Sequence, residues 1–284
     1  MMTTMMMRML AVLSLAAQIA VGDAARQTEE TIAWRANRQK ELQSERGWLA
    51  VSGLPWLKEG GTSVGSGEEN AVRLGDGPKV WGKFIRTGTR IAMEPFGGTR
   101  REITTSEEPF QIGRSWIQLI RRRDLLGLRI WDPMNARKLG FKGLDWFEAK
   151  PEYRVRARFI PTTPTPSIAI SNVLGQVNDF KSPGRVRFTL GGKDYELTPV
   201  YETEAQDELF YIFKDATAAK STYGAGRFVY STLPDQDGNL ILDFNRAYSP
   251  PCAFTDFATC PLPPPMNRLE VAIEAGEKDP HKAR

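Results

Sequence analysis

The sequence predicts a mostly-β protein, an antiparallel β-sandwich or partly open barrel carrying one N-terminal helix. Three observations predict it. Apolar and polar residues alternate at period two in several short segments, the pattern of strands with one packed and one solvated face. Turns marked by glycine, proline and aspartate punctuate those segments. No run of ten or more residues between the strands has helical spacing, so the crossover helices that a parallel sheet requires are missing.

In chain order, the first 25 residues read as a signal peptide. Arg8 supplies the positive charge, Met9 to Ala20 an apolar run, and Gly22, Ala24 and Ala25 the small residues of a cleavage region. The run is short for a bilayer span, and no second one approaches 18 residues. No cysteine lies near the cleavage region to take a lipid. The chain is therefore expected to be exported, periplasmic or secreted, with residues 26–284 as a single mostly-β domain. A two-lobed division near residue 150 is compatible with the sequence but not compelled by it. Of the 284 residues 41% are hydrophobic, enough for a sizeable core, and 25% charged, which argues against global disorder.

The spacing of Ile32, Ala36 and Leu42 predicts a helix over Thr28 to Gln43, ended by Gly47. Val72 and Leu74 before Asp76-Gly77 read as a hairpin signal. Ile112 to Ile120 and Leu125 to Trp131 form a strand pair joined by an arginine-rich turn. Tyr153 to Ile160 alternates most cleanly, with Arg154, Arg156 and Arg158 on the polar side. Val186, Phe188 and Leu190 repeat the rule before Gly191-Gly192 turns the chain into Tyr195 and Leu197. Leu209 to Phe213 is almost wholly apolar, as in a strand covered on both faces. Arg227 to Tyr230 and Leu240 to Phe244, joined by Asp235 to Gly238, read as an antiparallel hairpin.

The net charge is +4. Its clusters, Arg121 to Arg123 and Arg154 to Arg158, fit solvated strand faces. They do not form the dense stripe and recognisable module of a nucleic-acid binder, so no nucleic-acid partner is expected. The sequence leaves the oligomeric state open. Seven tryptophans fit core packing better than ligand platforms.

Histidine usage narrows the chemistry most. The only histidine is His281, in the C-terminal tail. A Ser-His-Asp triad, a Cys-His pair or a histidine-rich zinc site is therefore disfavoured. No G-x-S-x-G elbow, P-loop or Rossmann glycine fingerprint is present. An enzyme built on this chain would use carboxylates, arginine, tyrosine or an exogenous cofactor, and no cofactor is specified. Cys252 and Cys260 flank a short loop. In an exported protein they read as a disulfide, the alternatives being two free thiols or a metal or redox pair. Their spacing matches neither zinc-knuckle nor thioredoxin patterns.

Two polar clusters remain. One is Asp243-Phe244-Asn245-Arg246, which leads into the cysteine loop. The other runs from Asp215 and Thr217 to Tyr223, Gly224, Gly226 and Arg227. In the functional reading they line a pocket for a small anionic or polar ligand. Asp243 is general base, Arg227 the anion clamp and Tyr223 a donor, in a histidine-independent hydrolase or lyase. Asp215, Thr217, Asn245 and Arg246 complete the ligand contacts, and a binding protein would use the same residues without turnover. In the structural reading Asp and Arg form an internal ion pair and Asn245 ties down a turn, in a structural or interaction module with no small ligand. Glu277 and Asn267-Arg268 are weaker members of the set. Asp215, Asp243 and Glu277 carry oxygens suited to calcium or magnesium but fall in no recognised loop, so no metal is assigned.

The segments GWLAVSGLPWLKEG, LRIWDP, FKGLDWF, FKDATAAKSTYGAGRFVY, LDFNRAYSPPCAFTDFATCPLPPPMNRL and EAGE resemble the DUF1684 family of bacterial proteins of unknown function. The resemblance runs from about Gly47 to Glu277. Ser249 stands where the family usually has Asn. The resemblance implies no activity, substrate or catalytic set.

Overall fold

The computed structural model describes residues 25–282. The expected signal peptide lies outside them except for Ala25. Residues 25–42 are helical. Gly47 then lets the chain fold back over the helix end, because a Cβ there would lie 2.3 Å from the Leu42 carbonyl oxygen. Of the three aliphatic residues that predict the helix, only Leu42, 1% exposed, lies on its packed face. Ile32 is 57% exposed, whereas Thr31 is 2% exposed and Trp34, Arg35 and Arg38 are half-buried. That i, i+3, i+4, i+7 row is helical in period but polar and aromatic in composition.

The chain forms two compact units. The first comprises the chain up to Arg38, Leu144–Ala253 and Thr259 onward; the second comprises Gln39–Gly143 and Phe254–Ala258. Both are built from open sheets, mostly antiparallel, as a sandwich-like fold requires. Among the described residues no helix is long and apolar enough to cross a membrane.

In the second unit, β1 (Val51–Gly53), β9 (Leu125–Trp131), β8 (Ser115–Arg122) and β7 (Phe110–Ile112) make one sheet in that order. The expected pair is β8 with β9, turned at Arg123 with φ +54°. The other sheet runs β3 (Val72–Arg73), β2 (Gly60–Gly65), β4 (Gly82–Thr87), β5 (Arg90–Pro95) and β6 (Arg101–Ile103). Here the hairpin expected at Asp76-Gly77 does not form. Strand β3 pairs parallel with β2, while β4 takes the other edge of β2. Val64, Phe84 and Ile91 of this sheet share a core with Ile117 and Leu128 of the first, all at most 1% exposed.

In the first unit, β14 (Lys193–Leu197), β13 (Gly184–Leu190), β10 (Arg154–Pro161) and β17 (Asn239–Asp243) form a four-stranded sheet. Its buried face carries Val155, Val186, Phe188 and Leu242, while Arg156, Arg158, Arg185 and Arg187 lie on the exposed side. Strands β15 (Glu208–Phe213) and β16 (Arg227–Thr232) pair with each other, and β11 (Ser167–Ser171) pairs with β12 (Val177–Lys181). Leu209 to Phe213 is covered on both faces, each residue at most 1% exposed. The hairpin expected between Arg227–Tyr230 and Leu240–Phe244 is replaced by other partners. Arg227 lies opposite Phe213, and Asp243 lies opposite Arg154. This pairing decides where the polar residues end up.

Candidate functional site

Asp215 and Arg227 meet in the interior of the first unit, each side chain 1% exposed. Gly226 sets the entry. It has φ +106°, and a Cβ there would lie 2.5 Å from Pro263 Cγ and 2.6 Å from the Phe213 oxygen. Arg227 Nη2 then donates to Asp215 Oδ1 at 3.1 Å and to the Ile273 carbonyl at 3.0 Å, and Nη1 donates to the Ala275 carbonyl. Asp215 Oδ2 accepts from the Thr217 hydroxyl at 2.8 Å and the Ile273 N–H at 2.8 Å. Thr217 in turn shares a 2.8 Å bond with Thr222. Burial pulls the Arg227 pKa below its ordinary value, and Asp215 opposes that pull. These contacts tie the C-terminal segment to β16.

Asp243 and Asn245 form a separate network. The strand stops at Asp243, and Phe244–Arg246 winds into a 3-10 turn. Asp243 Oδ1 accepts from both the backbone and side-chain nitrogens of Asn245 at 3.0 Å, and Oδ2 accepts from Arg154 at 2.9 Å. Asn245 makes a reciprocal pair with the Lys150 backbone, at 3.0 and 2.9 Å. From the helix, Arg35 donates to the Phe147 and Asn245 carbonyls at 2.9 and 3.1 Å. Arg246 lies 3.8 Å from both Asp243 and Glu30. The recess beside Thr28, Thr31, Lys150, Arg154, Asp243 and Asn245 has a volume of about 10 Å³, room for one water.

Tyr223 goes elsewhere again. Its hydroxyl donates to the Cys252 carbonyl at 3.2 Å, and its ring lies 6.0 Å from that of His281. Burial pushes the Tyr223 hydroxyl pKa up. Asp243, Arg227 and Tyr223 thus end on three different sets of partners. The disulfide expected between Cys252 and Cys260 is absent: neither sulfur is covalently bonded to the other. The Cys252 N–H donates to Cys260 Sγ at 3.0 Å, so the loop is closed by a hydrogen bond. Its stiffness comes from Pro250 and the 3-10 turn Pro251–Ala253. A separate side-chain interaction with the Cys260 thiol holds the Cys252 thiol below its ordinary pKa, against burial.

The structure gives Glu277 a larger place than the sequence did. It is fully buried, 3.7 Å from Arg38 Nε. Arg38 also donates to the Ser249 carbonyl at 2.9 Å and lies 4.4 Å over the Tyr248 ring. Both Glu277 carboxyl oxygens and the Ser249 hydroxyl lack a hydrogen-bond partner of normal geometry. Burial pushes the Glu277 carboxyl up to about 7, with Arg38 and Ser249 pulling the other way. Sequence reading missed Arg38 and Tyr248. The available signal was the polar i, i+3, i+4, i+7 row on the helix. Among the described residues no three His, Cys, Asp or Glu side chains are grouped to hold a metal.

The second unit holds a cleft of about 530 Å³. Leu54, Pro55, Ile130 and Phe257 supply apolar wall, and Arg73 and Asp132 supply charge. Asp132 is locked. Its Oδ1 accepts from Arg114 Nε at 2.8 Å and the Met134 N–H at 2.9 Å, and its Oδ2 accepts from Arg114 Nη2 at 3.1 Å. Arg114 holds the Asp132 carboxyl below the usual range. Gly75 lets the backbone press against this pair, since a Cβ there would sit 2.4 Å from Asp132 Oδ2.

Residues 139–278 match the family model described as protein of unknown function (DUF1684). This stretch is a DUF1684 region. A similar solved structure is the solution NMR structure of the uncharacterized protein from gene locus rrnAC0354 of Haloarcula marismortui. It is 32% identical, with 54% of this chain and 85% of that chain covered and a TM-score of 0.44. No curated protein matches. The DUF1684 region contains Asp215, Arg227, Asp243, Asn245 and Glu277. Of the cleft residues only Phe257 falls within it, the others all preceding residue 139.

Proposed function

We propose that the protein is an exported β protein that binds a small molecule in the cleft of its second unit. The Asp215–Arg227 and Asp243–Asn245 networks then serve as framework. The observation that carries this reading is room. The cleft offers about 530 Å³, within the range of small-molecule sites, against about 10 Å³ at Asp243 and Asn245. A recess of similar volume, about 470 Å³, lies beside Phe96. Phe96 is itself 83% exposed, and binding that survives Leu54→Asp would point to that recess instead. The anion clamp assigned to Arg227 is set aside, because its guanidinium already serves Asp215 and two carbonyls. The segments GWLAVSGLPWLKEG and LRIWDP support extending the DUF1684 resemblance to the cleft, whose Leu54, Pro55, Ile130 and Asp132 they contain.

The test is saturable binding of the apolar dye 8-anilinonaphthalene-1-sulfonate to the full chain. One-to-one binding that disappears in Leu54→Asp, with the melting temperature kept, is the expected result. Undiminished binding by Leu54→Asp sinks the reading. Export has its own test. Expressed in a Gram-negative host, the protein should appear in the periplasm with its N-terminus near residue 26. An uncleaved cytoplasmic product would refute that part.

A second reading keeps histidine-independent acid–base chemistry but moves it from Asp243 to Glu277. Its support is a fully buried carboxyl with Arg38 3.7 Å away and neither oxygen in a hydrogen bond of normal geometry, where burial raises it to about 7. Hydrolysis of a chromogenic ester or phosphoester by the wild type, lost in Glu277→Gln and kept in Asp243→Asn, is the outcome it requires. Turnover that persists in Glu277→Gln removes it.

A further inference from the structure

Resting on the cleft reading above, we infer that the cleft takes a small carboxylate with a flat or aliphatic apolar body, its acid group held by Arg73. The lining has two parts with different chemistry. Leu54, Pro55, Ile130 and Phe257 offer a surface on which an apolar body is removed from water. The charged groups then decide the head group. Asp132 does not recruit a cation, because its two oxygens already take three donors, two of them from Arg114. Arg114 does not line the cleft, and its Nε and Nη2 serve Asp132 and the Gly75 carbonyl.

Arg73 differs from both. Its partner is Glu68 at 3.2 Å, and the two side chains are 61% and 85% exposed. An ion pair so open to water is weak and readily exchanged. A ligand carboxylate at the cleft rim could replace Glu68 and accept two parallel N–H bonds from the guanidinium. The apolar body would then shield that bond from solvent, which the exposed Glu68 does not do. With one available guanidinium, the site fits a monoanion better than a phosphate dianion. Ser52 lines the same cleft, but its hydroxyl proton goes to the Ile130 carbonyl at 3.3 Å, so it adds no donor for the carboxylate and Arg73 carries the head group alone.

The experiment is isothermal titration of the full chain with 1-naphthoate, 1-naphthylmethanol, 1-naphthylmethylamine and 1-naphthyl phosphate, which share one ring system. Naphthoate should bind one-to-one, about tenfold tighter than the alcohol, a charge-assisted bond being stronger than a neutral one. In Arg73→Gln that advantage should vanish, and the acid should bind like the alcohol. Arg73 is exposed, so this substitution leaves the fold intact. Equal wild-type binding of acid and alcohol overturns the carboxylate assignment but leaves the cleft. So does tighter binding of the phosphate or the amine, or an unchanged advantage in Arg73→Gln. Failure of all four to bind, or binding that survives Leu54→Asp, removes the cleft itself.

Discussion

The Arg227 side chain carries a full charge and is 1% exposed. Its desolvation is offset by Asp215 and by two carbonyls of the C-terminal segment. Removing the guanidinium leaves Asp215 buried with a charge and fewer donors. Arg227→Met should therefore lower unfolding free energy by about 3–5 kcal/mol, read from urea denaturation. A loss under about 1 kcal/mol would mean that water or a rearranged partner already satisfies Asp215. Glu277 makes the opposite kind of contribution. Its carboxyl rises from an ordinary 4.5 to about 7. Between those values the folded state keeps a proton that the unfolded state has released. Stability should therefore fall as pH rises through this window, by on the order of 3 kcal/mol in all, and level off above it. Glu277→Gln should remove that part of the slope. Parallel stability curves for the two proteins from pH 4 to 8 would show that Glu277 titrates normally.

At the level of elements, alternation was legible and partnership was not. Val155, Ala157, Val186, Phe188 and Leu190 turn inward as their period-two spacing predicts. The run Leu209–Phe213 is covered on both faces, as its composition requires. Local turn chemistry identified Gly191-Gly192 correctly, because β13 and β14 are neighbours in sequence and in the sheet. The same logic failed at Asp235–Gly238. That turn separates β16 and β17, but each satisfies its ladder elsewhere: β16 with the apolar β15, β17 with β10. Long-range burial outweighed the local signal, and no single window of sequence contains it. The split of the polar residues follows from that pairing. Glycine strain gives the check at this scale. Gly192 has φ +77° with nothing within 4 Å of its Cβ position, whereas Gly226 faces Pro263 and the Phe213 oxygen. Gly192→Ala should cost about 1 kcal/mol, from backbone strain alone. Gly226→Ala should cost at least about 3 kcal/mol, strain and overlap combined. Equal losses in thermal or urea unfolding would contradict the crowding assigned to Gly226.

Across the whole molecule, the mostly-β class and the N-terminal helix were readable, because both rest on local periodicity. The cleft was not. Its walls come from residues near 54, 73, 130 and 257, and nothing in their spacing announces a cavity. Sequence reading favoured polar residues as site markers, and such residues fill the framework of the first unit as readily as they line a pocket. The two units have separate cores, one around Val186, Phe213 and Leu242, the other around Val64, Phe84 and Ile117. Each core contains enough fully buried aliphatic and aromatic side chains to open as its own cooperative block. Arg227→Met removes a contact inside the first unit only. Amide hydrogen exchange should therefore accelerate at Val186, Tyr211 and Leu242 in that variant by about a hundredfold or more, the 3–5 kcal/mol of the ion pair expressed as a rate ratio. Val64, Ile117 and Leu128 should exchange at the wild-type rate. Acceleration of equal size in both groups would mean that the chain opens as a single block, and the fourfold threading between the units would then dominate over their separate cores.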